Sequence, residues 1–370
     1  MNAEREVVSM NVEREVSTMN AARLLLVGSI PLDTPERVFE QFGGPLGRYL
    51  GALPDGEVGL RLHWISRIHF QVFALHPDLE IMQRPPLDNG VERLNPRNTG
   101  ESWRFKVRDS VDRIRFGEPG WRLGYARDAI NSYYVFRAMR EQGRLPAGLR
   151  FQISLASPNS AAPPRILVNP ERLPILREGY EFAMADELRT IFAHIPARDL
   201  AIQWDCSTEV QDAYGEVANL APEGGIERNV AQFARLCPAI PSEARVGVHL
   251  CFGTLGGWPR FAPGDLGRTV DLANGIIAGA GRRVDWMHIP VLDRADDAFF
   301  APFARLRAGD TRVFLGLIHN MERFGERVAV ARKYLADFGL AAFCGFGRMP
   351  PGDMPGVLAA HLRALELAAA

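Results

Sequence analysis

Eight short apolar, β-rich runs recur along the chain, at 23–29, 49–54, 149–155, 200–205, 245–251, 284–290, 312–318 and 341–346. Between most of them lie segments with apolar residues at helical spacing, at 35–42, 123–142, 172–192, 226–236, 265–278 and 324–338. Strands that alternate with helices pair in parallel, because each crossover returns the chain to the same end of the sheet. Eight such units close most simply into a barrel. The expectation is therefore an α/β chain forming a single (β/α)8 TIM barrel, with a segment inserted after the second strand.

The insertion is placed at 76–121, too long for an ordinary connection and broken by Arg84-Pro85-Pro86, Asn95-Pro96-Arg97-Asn98 and Gly117-Glu118-Pro119-Gly120. A loop of that length is in a position to cover one mouth of the barrel. Residues 1–22 begin with a tandem repeat, MNAEREVVS then MNVEREVST, with few large apolar side chains. They are expected to be a disordered extension, leaving 23–370 for the barrel.

With 370 residues and 47% hydrophobic content the chain can bury a large core. Its 43 basic and 44 acidic residues leave a net charge of −1, without the positive footprint that nucleic acid or an anionic membrane demands. A small-molecule partner fits better. There is no apolar run of about 18 residues that would span a bilayer. Four cysteines, Cys206, Cys237, Cys251 and Cys344, in so long a chain point to reduced thiols and a cytoplasmic setting. The sequence has no GxxxxGK[ST], HExxH, CxxC or GxSxG, so nucleotide and serine hydrolysis rank low.

In a barrel of this type the chemistry sits where the strands end, so position within a run counts as much as residue type. His249 and Cys251 close the fifth run; two residues apart on a strand, they point to the same face and can reach one ion. Cys344 lies near the end of the eighth. Imidazole and thiolate suit zinc, and three protein ligands leave one position for substrate. The plainer alternative is that both cysteines are small core hydrophobes. Two more histidines close runs, His288 and His319. Asp205 ends the fourth run, with Glu209 a turn beyond, and Glu57 follows the end of the second. Asp205 and His319 are candidate catalytic groups; Ser29, Glu57, Glu209 and Arg348 are candidate substrate contacts. For the acidic residues, helix caps and turns are the competing explanations.

In order along the chain, Val27-Gly28-Ser29-Ile30-Pro31, Ile202-Gln203-Trp204-Asp205, His249-Leu250-Cys251 and Cys344-Gly345-Phe346 resemble the catalytic barrel of the cobalamin-independent methionine synthases. These belong to a wider superfamily that includes uroporphyrinogen decarboxylase. The resemblance spans roughly residues 24–366, and its specific part is the His-x-Cys with the distant Cys. It implies zinc held by His249, Cys251 and Cys344, a thiol substrate joining the metal, alkyl transfer to its sulfur, and Asp205 orienting a substrate amine. Two departures stand out. The family places a glutamate ligand at the end of the sixth strand, where this chain has His288-Ile289-Pro290, so that either His288 replaces it or the site uses three ligands. The chain also has one barrel, whereas the full-length synthases carry a second that helps bind the folate donor. Expected partners are a small-molecule thiol and an alkyl donor; under a non-catalytic reading the barrel would instead bind a methylated small molecule or a corrinoid-carrying protein without turning it over. Thiol addition to an epoxide, a metal-free decarboxylation using Asp205 and arginines, and a non-catalytic small-molecule-binding barrel remain open.

Overall fold

Eight strands pair in parallel around a nearly closed ring, in a computed structural model that describes residues 21–117, 122–218, 220–221 and 223–369. The nine-residue repeat lies outside them. The ring comprises β1 (Leu24–Leu25), β2 (Ala52–Pro54), β5 (Arg150–Ala156), β6 (Leu200–Cys206), β7 (Arg245–Leu250), β8 (Trp286–Pro290), β9 (Arg312–Gly316) and β10 (Gly339–Ala341). Its order is β1-β10-β9-β8-β7-β6-β5-β2. A parallel bridge between Leu24 and Leu50 closes it, helped by the Arg23 N–H, which donates to the Tyr49 carbonyl at 2.9 Å. This is an α/β TIM barrel. Ala22, at the end of the expected extension, is already buried, and its carbonyl accepts from Arg312 at 3.3 Å.

Each central strand is buried on both faces, which is why its sequence reads as a nearly unbroken apolar run. Along β6 the odd positions Ala201, Gln203 and Asp205 face into the barrel, while Ile202, Trp204 and Cys206 pack outward under the helices. Burying a side chain such as Ile202 stabilises the fold by roughly 1.5–3 kcal/mol. The bottom layer of the barrel combines small and large residues, Ala52, Ala201 and Ala341 with Trp286 and Phe314. Trp286 is accommodated because β7 carries Gly247 beside it. A Cβ on Gly247 would lie 1.8 Å from the indole. Above this layer, Gln203 donates to the Val27 carbonyl at 2.6 Å and to Asp205 at 2.9 Å, and accepts from the Trp286 indole N–H at 3.3 Å. Polarity therefore rises toward the C-terminal mouth.

The segment inserted after β2 holds the helix Ile65–Gln71 and an antiparallel pair, β3 (Leu79–Gln83) with β4 (Arg104–Val107). It is less polar inside than its sequence suggests, because Phe73, Trp103, Phe105 and Phe116 pack against one another. Several elements differ from expectation, the first strand covering only Leu24–Leu25 and the helix expected over 324–338 only Phe324–Ala331. The eighth run is strand only over Gly339–Ala341, so Cys344 stands on the loop beyond it. The chain also ends in a helix, Met354–Ala369, that the strand-and-helix count omitted.

Candidate metal centre

Strand register brings the donors together. Asp205 on β6 lies opposite His249 on β7, and His249 opposite His288 on β8, so all three stand at one level near the mouth. Cys251 follows β7 directly, its N–H still bonded to the Cys206 carbonyl at 2.9 Å. The loop carrying Cys344 is tied down by Ser29, whose carbonyl accepts from Phe346 at 2.7 Å and whose Oγ accepts from Gly347 at 3.2 Å. Trp258, on the loop after β7, stacks on Phe343 with centroids 4.3 Å apart, fastening the two cysteine-bearing loops to each other.

Ligand atoms of His249, Cys251 and Cys344 all lie within 4.8 Å of one another. The two sulfurs are 3.5 Å apart, and Cys344 Sγ is 3.7 Å from His249 Nε2. Tetrahedral zinc, with bonds of about 2.3 Å to sulfur and about 2.0 Å to nitrogen, spaces its ligands by about 3.8 Å (S to S) and about 3.6 Å (S to N). The donor set thus fits the ion in chemistry and in spacing, and the sulfurs are too far apart for a disulfide. The Cys251 S–H donating to it, with Arg348 nearby, holds the Cys344 thiol well below its ordinary value in spite of burial. The same contact and burial push Cys251 up.

His288 sits behind this group. Its Nε2 is 2.9 Å from the Ala342 carbonyl and its Nδ1 is 2.7 Å from His249 Nδ1. A carbonyl only accepts, so His288 Nε2 carries a proton. Burial keeps this ring well below its ordinary pKa and neutral, leaving Nδ1 as the acceptor. His249 Nδ1 must then donate, and His249 Nε2 is left with a lone pair facing the cysteines. The expectation that His288 is a further ligand is corrected here: both its nitrogens are engaged, one at the Ala342 carbonyl and one at His249, so neither is free for an ion.

His249, Cys251 and Cys344 open onto a cavity. Ser29, Glu57, Asp205 and Arg348 line it, as do Pro96 and Ser102 of the inserted segment. Gly28 makes room for Glu57, since a Cβ there would lie 2.4 Å from its carboxylate. Glu57 itself has the left-handed backbone angle φ 49°, held by Asp55, which accepts its N–H at 2.9 Å. Asp55 is in turn clamped by Arg61 at 3.1 and 2.7 Å and by Ser132 at 2.6 Å. Burial, together with the charge of Asp55, pushes Glu57 up to about 8 despite Arg61. Burial and the charge of Glu57 push Asp205 well above the carboxylate range.

Two expected residues lie elsewhere. Glu209 is fully buried, accepting from Ser157 at 2.5 Å, Ser160 at 2.6 Å and Gln232 at 2.8 Å, and it braces the loops rather than lining the cavity. His319 gives its Nε2 to the Val291 carbonyl at 2.8 Å, and burial pushes its pKa down to about 4. It packs edge-on against Phe343 outside the cavity. Conversely, Arg165 and Arg260 line the cavity without having been singled out in the sequence. Nearly every basic residue is Arg, with Lys only at 106 and 333, so no arginine stood out.

Fold and donor set define the class: a (β/α)8 barrel with a His/Cys/Cys group at its C-terminal mouth, opening onto a cavity lined by both carboxyl and guanidinium groups. No protein-family model matches the sequence, and no curated protein matches it. Among solved structures the chain is similar to a B12-independent methionine synthase from Shewanella sp. W3-18-1, in complex with selenomethionine. The TM-score is 0.56 at 15% identity, covering 94% of this chain and 96% of that one. At that identity the likeness shows a shared fold.

Proposed function

We propose that this chain is a zinc-dependent transferase that moves a methyl or other small alkyl group onto the sulfur of a thiol that also carries an amine. The observation that carries the reading is the convergence of His249 Nε2 and the Cys251 and Cys344 sulfurs on one cavity wall, in the same space as Glu57 and Asp205. The neighbour's name supports it. That name belongs to a chain matched over 96% of its length by this single barrel, so the reading does not call for a second barrel.

His249, Cys251 and Cys344 would hold the ion and leave a fourth position for the substrate sulfur. Zinc bound there supplies Lewis acidity that makes a thiol lose its proton at neutral pH. Glu57 and Asp205 bind and orient the ammonium group, which lowers their pKa values as they pair with it. Leu62, Trp64 and Ile65 give the cavity an apolar side that excludes water from the reacting sulfur. In the transfer an S–C bond forms, the bond from carbon to the donor breaks, and its electron pair leaves with the donor.

The test is thiol consumption against methylated folate, methylated corrinoid and epoxide donors, using protein purified without chelator. We expect alkylation with a methyl donor, and its loss by orders of magnitude in Cys344→Ala. Full activity in zinc-free protein, or in that variant, would overturn the reading.

A further inference from the structure

We propose that Arg165 and Arg260 form an anion-binding subsite in this cavity, taking a carboxylate or phosphate group carried by a substrate of the transfer; the assignment to a substrate rests on the function proposed above. Arg165 comes from the turn Pro164–Ile166 after β5, and Arg260 from the loop after β7. Both line the cavity. Neither guanidinium makes a hydrogen bond or ion pair among the described residues, and the Nε of Arg165 is buried without a partner. Arg61, Arg228 and Arg245, by contrast, are paired with Asp55, Asp212 and Asp285, and the buried Arg67 and partly buried Arg177 donate to backbone carbonyls.

An unpaired guanidinium withdrawn from water is costly, and two that repel each other cost more. Burial and the neighbouring charge of Arg260 bring Arg165 down to about 10; burial lowers Arg260, with Glu216 opposing. Glu57 and Asp205 instead act on one another and on Cys344. The cavity therefore has carboxyl groups beside the metal donors and, elsewhere on its wall, two arginines without a paired carboxylate, Glu216 acting on Arg260 only through its charge. Two planar forks with free N–H groups match a carboxylate or phosphate in geometry as well as charge.

Isothermal titration of the full zinc-loaded chain with glutarate and with inorganic phosphate tests this, neutral glutaramide serving as control. We expect at least one of the two anions to bind, glutaramide to fail, and affinity to drop by about tenfold or more in Arg165→Gln and in Arg260→Gln. Arg235→Gln, at a surface pair with Glu181, should leave binding unchanged. In anion-free buffer each subsite variant should unfold at an equal or higher temperature than wild type, which separates loss of binding from loss of fold. Repeating the titration with saturating L-homocysteine locates the source: unchanged affinity assigns the subsite to the alkyl donor, and competition to the carboxylate of the thiol. Cys344→Ala should still bind the anion, so failure of the transferase reading is distinguishable. If neither anion binds wild type, or if the subsite variants bind as well as wild type, the proposal is overturned.

Discussion

His288 is the residue whose role changes most between sequence and structure. It points inward at the same level as His249 on the next strand, and nothing in a one-dimensional sequence separates a ligand from the residue that orients it. The Ala342–His288–His249 chain selects the His249 tautomer whose Nε2 can bind metal. His288→Phe should therefore weaken zinc about 10–100-fold in competition with a chelator, while the barrel still folds. His288→Gln, able to accept from His249, should recover part of the loss; equal zinc affinity in all three proteins would contradict the relay. The His-x-Cys pair was legible because strand geometry turns a spacing of two into a shared face. Arg165 and Arg260 were not, since only the folded loops show that they lack partners.

The barrel strands were legible because parallel strands buried on both faces leave nearly continuous apolar runs. Their ends were harder to place. The stretch 342–346 continues the apolar pattern of β10 but leaves the ladder: Phe343 stacks on Trp258 of the neighbouring loop, while Phe346 packs on His361 of the C-terminal helix. The aromatic core of the inserted segment went unseen because its members are separated by breakers and converge only through the β3–β4 pair. Gly247 carries a different lesson: a glycine inside a strand marks a close approach, here that of Trp286. Gly247→Ala should cost about 1–3 kcal/mol or more, measured by denaturant unfolding, and its effect should shrink when combined with Trp286→Phe. Additive effects of the two substitutions would argue against this contact.

Taken whole, the molecule puts the His249, Cys251 and Cys344 donors, the Glu57 and Asp205 carboxyls and the Arg165 and Arg260 guanidinium groups around one cavity, lined in part by Pro96 and Ser102 of the inserted segment. No helix among the described residues is long and apolar enough to cross a membrane. A barrel of this kind supplies the rigid frame, and chemistry is set by what its strand ends carry. Everything proposed about transfer depends on zinc at His249, Cys251 and Cys344. X-ray absorption at the zinc edge, on protein purified without chelator, tests that most directly. The account predicts bound zinc with two sulfur neighbours at about 2.3 Å and a nitrogen at about 2.0 Å, and a third sulfur once the thiol is added. Zinc-free protein, or zinc bound by oxygen and nitrogen alone, would contradict it.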